Sequence, residues 1–196
     1  MTVAPGIRHI VIDMQRLFAE DTPWHTPAVW DILPNVLELT RAFPNETIFA
    51  KFMLPPRIED ATGRWQNYYR RWSMLTTENI DPAIQDLVAP LQDMASAASI
   101  VEKTGYSVFS VPGFSERLIA EGVETLVFSG VETDVCVLGS VFDAIDAGFD
   151  VAVAIDAVGS SSPESHQATL DLVFPRLPDQ LRLSTTADLI QSLSRR

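Results

Sequence analysis

The sequence predicts a doubly wound, three-layer α/β/α fold with a mostly parallel sheet of about six strands. Three observations predict it. Short apolar runs rich in β-branched residues alternate with segments of helical period along the chain. Short apolar strands separated by helices imply a parallel sheet covered on both faces. A glycine also follows two of the helical segments, at Gly122 and Gly148, where a left-handed residue stops a helix and turns the chain toward the next strand.

Taken in order, Ile7 to Met14 is strand-like, with Ile7, Ile10, Val11 and Ile12 supplying β-branched bulk. Val29 to Phe43 is helical, with Val29, Leu33, Val36, Leu37 and Thr40 on one face. Thr47 to Phe52 and Ala98 to Glu102 are short strands, and Phe114 to Glu121 is a helix. Thr125 to Ser129 is a fourth strand, broken by Gly130. Val135 to Ala147 is helical, and Asp150 to Ile155 is a fifth strand. Pro163 to Phe174 reads as a helix capped by Ser162, with proline at its first position. Leu181 to Ser184 and Ala187 to Leu193 close the pattern as a strand and a helix.

The 196 residues, 46% of them hydrophobic, suffice for one domain with a large core, spanning residues 1–196. The segment 54–90 departs from the pattern. It is rich in Pro, Arg, Trp and Tyr, and reads as an insertion on the active edge of the sheet. A net charge of -12, from 26 acidic and 14 basic residues, argues against nucleic acid or an anionic membrane as partner, since both need a basic face. One cysteine excludes an internal disulfide and fits a reducing compartment. The first six residues carry no signal-peptide pattern, and no apolar run approaches the ~20 residues of a membrane span. The expectation is a cytoplasmic protein acting on a small molecule.

In a doubly wound sheet, ligands bind beyond the carboxyl ends of the strands. Asp13 follows the first strand, Lys103 the third and Cys136 the fourth. Thr133 and Asp134 are helix-capping types, so Cys136 falls in the first turn of a helix, where unpaired N–H groups favour thiolate. A buried, inert cysteine is the alternative. A carboxylate beside the thiol can accept its proton and return it to a leaving group. A lysine ammonium stabilises thiolate and carboxylate alike. Backbone N–H groups of the Gly130–Cys136 turn can bind an oxyanion.

Asp13 in IDMQ, Lys103 in VEKTGYSVF and Cys136 in SGVETDVCVLGSVFDAIDAGFDVAVAIDAVGSS resemble the isochorismatase-like cysteine hydrolases, a likeness that extends from about Ile7 to Phe174. The resemblance implies a catalytic triad of Asp13, Lys103 and Cys136, a cis peptide between Val131 and Glu132, and an oxyanion hole formed by the N–H groups of Glu132 and Cys136. It implies hydrolysis of a C–N bond in a small amide or ureide through a cysteine acyl-enzyme. Another branch of the family cleaves a vinyl ether by acid chemistry, and a catalytically silent oligomeric binding protein on the same scaffold is a further alternative. The family also suggests a homo-oligomer, a dimer or tetramer.

The nicotinamidases of that family hold a metal with an Asp-x-His pair after the second strand and a further His. Here the matching place reads Lys51-Phe52-Met53, and His9, His25 and His166 are scattered without ligand spacing. No metal and no other cofactor is expected, and His166 reads as structural. Trp65, Tyr68, Tyr69 and Trp72 recur at one face of a helix, with Arg57, Arg64, Arg70 and Arg71 around them. This stripe is either a pocket wall or core and interface packing. Arg57 and Trp65 are the members expected to reach substrate, with Phe18, Trp24 and Tyr106 as further candidates because they follow Asp13 and Lys103 on the same edge.

Overall fold

The computed structural model describes residues 6–193; residues 1–5, part of the stretch lacking a signal-peptide pattern, and residues 194–196 lie outside it. The elements run β1 (Ile7–Ile12), α1 (Arg16–Ala19), α2 (Ala28–Ala42), β2 (Thr47–Phe52), α3 (Trp65–Arg71), α4 (Ala89–Gln92), β3 (Ile100–Lys103), α5 (Phe114–Ala120), β4 (Thr125–Val131), α6 (Leu138–Asp146), β5 (Asp150–Gly159), α7 (Pro163–Ala168), β6 (Leu181–Ser184) and α8 (Thr186–Leu193). The six strands form one sheet in the order β3-β2-β1-β4-β5-β6, every neighbouring pair parallel. This is the doubly wound architecture that the alternation of strands and helices predicts.

Alternate residues of the central strands feed two separate cores. Ile7 and Val11 of β1, Val127 of β4 and Ala152 of β5 pack with Val29, Leu33 and Val36 of α2 and Leu189 of α8. Ile10 and Ile12, Leu126 and Phe128, and Val151 and Val153 pack on the other side with Phe114 and Leu118 of α5 and Val141 and Ala144 of α6. The period-two alternation sends successive side chains to opposite faces, and both faces are dry, so each strand reads as a continuous apolar run. Among the described residues no helix is long and apolar enough to cross a membrane.

Chain order reverses between β1 and β4, so the loops leaving their carboxyl ends go to opposite sides of the sheet and leave a crevice. Asp13 leaves β1 and the Cys136 turn leaves β4 at this point.

Several boundaries differ from the sequence expectation. Ser96 and Ser99 cap one another in a 3-10 turn over Ala97–Ser99, so β3 starts at Ile100 and Lys103 is its last residue rather than a loop residue. β4 does not stop at Gly130 but continues to Val131, and β5 extends to Gly159. The predicted helix after β4 opens as a π turn, Thr133–Val137, before α6 begins. The predicted helix from Pro163 leaves α geometry at Thr169, whose hydroxyl donates 2.8 Å back to the Ser165 carbonyl.

His9 on β1 is wholly buried between Thr47 and Ser129. Thr47 donates its hydroxyl hydrogen to the Phe43 carbonyl, so it can only accept from His9 Nδ1, and in the neutral ring Nε2 then accepts from the Ser129 hydroxyl. Burial pushes the imidazole pKa down to about 3, so the ring is neutral at pH 7. Its unfolded counterpart titrates at about 6.5. The lowered folded value means that stability present above pH 6.5 is lost as pH falls toward 3. Between pH 7 and 5 the loss attributable to His9 is about 2 kcal/mol. Urea unfolding at the two pH values should show this difference in the wild type and a smaller one in His9→Gln.

Candidate active site

The site is built where β1 and β4 come closest. Gly130 has φ +106°, and a Cβ there would meet the Ile12 carbonyl oxygen at 2.0 Å. Only glycine lets β4 approach the end of β1 this closely. The glycine thus serves a close strand contact within β4, where the sequence suggested a strand break. The following peptide, Val131–Glu132, is cis.

Asp13, directly after β1, is fully buried and has φ +53°, a left-handed conformation that aspartate tolerates better than most residues. Its N–H donates to Ala50 of β2 at 3.0 Å. Gln15, two residues on, is also fully buried. It donates to the carbonyls of Phe52 (3.0 Å) and Gln85 (2.7 Å) and accepts from the Phe52 N–H at 2.7 Å. Gln85 in turn accepts from the Leu54 N–H at 2.7 Å. These two amides tie the 54–90 segment to the strand ends.

Lys103, at the end of β3, donates 2.8 Å to Asp13 Oδ2 and 3.2 Å to the Gly105 carbonyl, and its ammonium lies 4.8 Å from the centre of the Phe52 ring. Both side chains of the ion pair are completely buried. The other carboxylate oxygen, Asp13 Oδ1, is buried without a hydrogen-bond partner among the described residues. The Cys136 thiol, 6% exposed, stands close enough to interact with both Asp13 and Lys103.

The electrostatics follow from burial. Desolvation pushes the Cys136 thiol well above its ordinary range, and the Asp13 charge adds to this while Lys103 opposes it. The sequence expectation of a thiolate favoured by a helix end is therefore corrected: the thiol is raised, because taking the sulfur out of water outweighs the Lys103 ammonium. Burial also raises Asp13, opposed by Lys103. Lys103 is raised against its own desolvation by Asp13 and Cys136. Burial thus disfavours the charged thiolate and the charged carboxylate, and Lys103 is the group that opposes it at both.

The turn that carries Cys136 is a π turn. The Glu132 carbonyl accepts from the N–H groups of Val135 and Val137, 3.1 Å each, and the intervening Cys136 N–H is not among its donors. A π turn in place of an α turn thus changes which N–H groups the ladder uses at this position.

Cys136 opens onto a cavity of about 250 Å³ walled by Phe18, Trp24, Phe52, Trp65, Tyr68, Trp72 and Tyr106, with Glu132, His25 and Ser161 also on its lining. This is smaller than the ~300–1,000 Å³ of ligand pockets in general, so it suits a small molecule. Of the residues expected at substrate, Phe18, Trp24, Trp65 and Tyr106 line the cavity. Arg57 does not: its side chain is 61% exposed and paired with Asp60 at 3.1 Å. The pairing at i, i+3 satisfies its guanidinium on the surface. Tyr68 and Trp72 also reach the cavity, whereas Tyr69 is core. The helical spacing of the stripe located these rings together, but the sequence could not tell which edge faced the crevice. Burial lifts the Tyr68 hydroxyl to a pKa of about 12, so it is a neutral donor. The Glu132 side chain was not foreseen: its Oε1 accepts from Thr26 Oγ1 (3.2 Å) and from the Ser161 N–H (2.8 Å). His166 bonds the Thr133 hydroxyl at 2.9 Å, which fits its structural reading. Among the described residues no three His, Cys, Asp or Glu side chains are grouped to hold a metal ion.

A family profile described as the Isochorismatase domain matches residues 9–187. A protein of Arabidopsis thaliana named as a probable inactive nicotinamidase is 29% identical over 168 residues, covering 82% of this chain and 84% of its own. The maleamate amidohydrolase of Pseudomonas putida is 30% identical over 120 residues, 57% of this chain and 55% of that protein. The crystal structure of a cysteine hydrolase from Pseudomonas syringae pv. phaseolicola superposes with a TM-score of 0.80 at 22% identity, covering 99% of this chain and 95% of that one.

Proposed function

The chain belongs to the isochorismatase family, and from that membership we propose that it is a metal-independent cysteine hydrolase that cleaves the C–N bond of a small amide or ureide. Asp13, Lys103 and Cys136 are its catalytic residues. The observation that carries this reading is the buried Asp13 Oδ1, without a hydrogen-bond partner among the described residues, near a thiol whose pKa burial raises. A thiol in that state needs a base, and the only oxygen of Asp13 left free by Lys103 can serve as one.

In the first half-reaction Cys136 Sγ attacks the substrate carbonyl as its proton passes to Asp13. The carbonyl oxygen becomes an oxyanion, held by the backbone N–H groups of Glu132 and Cys136. Asp13 then protonates the departing nitrogen, the C–N bond breaks and ammonia or an amine leaves a thioester on Cys136. In the second half a water gives its proton to Asp13 and adds to the thioester. Collapse releases the acid and returns the proton to sulfur. Lys103 keeps Asp13 ionised and oriented between these transfers. The amidohydrolase name of the Pseudomonas putida relative supports C–N chemistry.

The test is a panel of small amides, ureides and isochorismate, read by release of ammonia or pyruvate, with intact-protein mass spectrometry after rapid acid quench. Ammonia release with a mass adduct on Cys136 is the expected result. Pyruvate release without an adduct would replace this reading with vinyl-ether cleavage, and turnover of nothing would favour a silent binding protein. The pH profile carries a further expectation. Asp13 acts as a base only when ionised, and its pKa is raised from 3.8. The rate should therefore fall as pH drops through a midpoint above 3.8. It should not rise around pH 8.5, as a reaction limited by an ordinary free thiol would.

A further inference from the structure

We infer that the pocket selects an amide that carries a compact organic cation and discriminates against amides that carry a carboxylate. Three observations converge. The wall is aromatic, with Trp24, Trp65, Tyr68, Trp72 and Tyr106 around a small space, and ring faces attract cations. The only acidic side chain on the described lining is Glu132, and it is held in place: Thr26 and Ser161 both bond Oε1, and no bond to Oε2 is found among the described residues. No lysine or arginine is among the described lining residues.

The cations near the pocket are engaged or outside it. Lys103 is committed to Asp13 and Gly105. Arg71 stacks on Trp72, 5.1 Å from the ring centre, and Arg64 lines a neighbouring groove. His25 is exposed on the lining. The buried Trp24 indole N–H has no hydrogen-bond partner among the described residues and is a neutral donor for an oxygen acceptor. A carboxylate placed here would face Glu132 with no lysine or arginine on the described lining to pair with, whereas an ammonium would meet both Glu132 and the rings. Aromatic cages of this composition suit quaternary or primary ammonium groups.

The charge preference is a property of the pocket, while the reaction at the amide rests on the function proposed above, and two arms keep them separable. The first measures kcat/KM at pH 8, above the ordinary histidine range, for three amides of similar size: betaine amide (cationic), 3,3-dimethylbutanamide (neutral) and malonamate (anionic). The expected order is cationic, neutral, anionic, with about tenfold or more between the first two. Glu132→Gln, which can still accept from Thr26 and Ser161, should reduce that ratio to about twofold. An anionic preference, or an equal loss on all three amides, would overturn the inference and leave the hydrolase intact. The second arm titrates tetramethylammonium chloride against tryptophan fluorescence, with sodium chloride as control. Saturable quenching, weakened in Glu132→Gln and independently in Trp72→Leu, supports the inference even if no amide is turned over. Its absence overturns the inference.

Discussion

Replacing Cys136 with alanine should abolish C–N hydrolysis, lowering kcat by about 10⁴-fold or more, the scale on which loss of a catalytic nucleophile acts. The sulfur is the atom that would carry the acyl group, and the remaining Asp13–Lys103 pair has no route to a covalent intermediate. Folding should be retained, because alanine removes a single atom at a residue that opens onto the cavity and the Asp13–Lys103 ion pair stays in place. The thermal midpoint of the variant, measured beside its activity, separates lost chemistry from lost structure. Substituting serine tests the same step differently, since it retains a proton for Asp13 but presents a weaker nucleophile. A variant lacking the thiol that keeps a tenth or more of the wild-type rate would remove the acyl-enzyme and leave acid chemistry on Asp13 and Lys103 as the alternative.

Lys103→Met should destabilise the protein by about 3–5 kcal/mol, the cost of leaving one member of a buried ion pair without the other. Asp13 and Lys103 have no exposed side-chain surface, and 2.8 Å separates their charged atoms. Without the ammonium, desolvation, the largest influence on Asp13, still pushes it upward with help from the Glu132 carboxylate, and of the groups that lower it only Cys136 is left. A carboxyl whose folded pKa exceeds its unfolded pKa contributes stability below the unfolded value and loses it as pH rises through the folded one. The deficit of Lys103→Met should therefore be largest at neutral pH and shrink on acidification. Asp13→Leu combined with Lys103→Met should recover much of the stability while remaining inactive, since an apolar pair in a buried site is often as stable as the ions it replaces. Urea unfolding of the three variants measures this. A single-variant loss below about 1 kcal/mol would show that the pair is solvated in solution.

Much of the fold was legible because its physics is local. Covered parallel strands must be short and apolar, helices between them must repeat near 3.6 residues, and each rule acts within a dozen positions. The same locality placed Asp13, Lys103 and Cys136 at strand ends, and the resemblance of their surrounding motifs grouped them. What escaped depends on contacts between distant segments. Gly130 looked like a strand break because its reason, the Ile12 carbonyl, lies on another strand. Arg57 looked like a substrate residue because nothing in its composition shows that Asp60 takes its guanidinium at the surface. The Glu132 carboxylate was passed over because its two partners, Thr26 and Ser161, are 106 and 29 positions away.

The direction in which the Cys136 pKa moves divides the two kinds of information most sharply. By itself the sequence determined a doubly wound sheet, the strand ends that would carry an acid, a base and a thiol, and the aromatic stripe at 65–72. These follow from residue spacing and side-chain type. Only the tertiary structure decided that burial raises the thiol, that one Asp13 oxygen has no hydrogen-bond partner among the described residues and that the pocket carries a carboxylate and no lysine or arginine on its described lining. Desolvation and Coulomb interaction depend on distances through space, and folding sets those distances among residues the chain order keeps far apart.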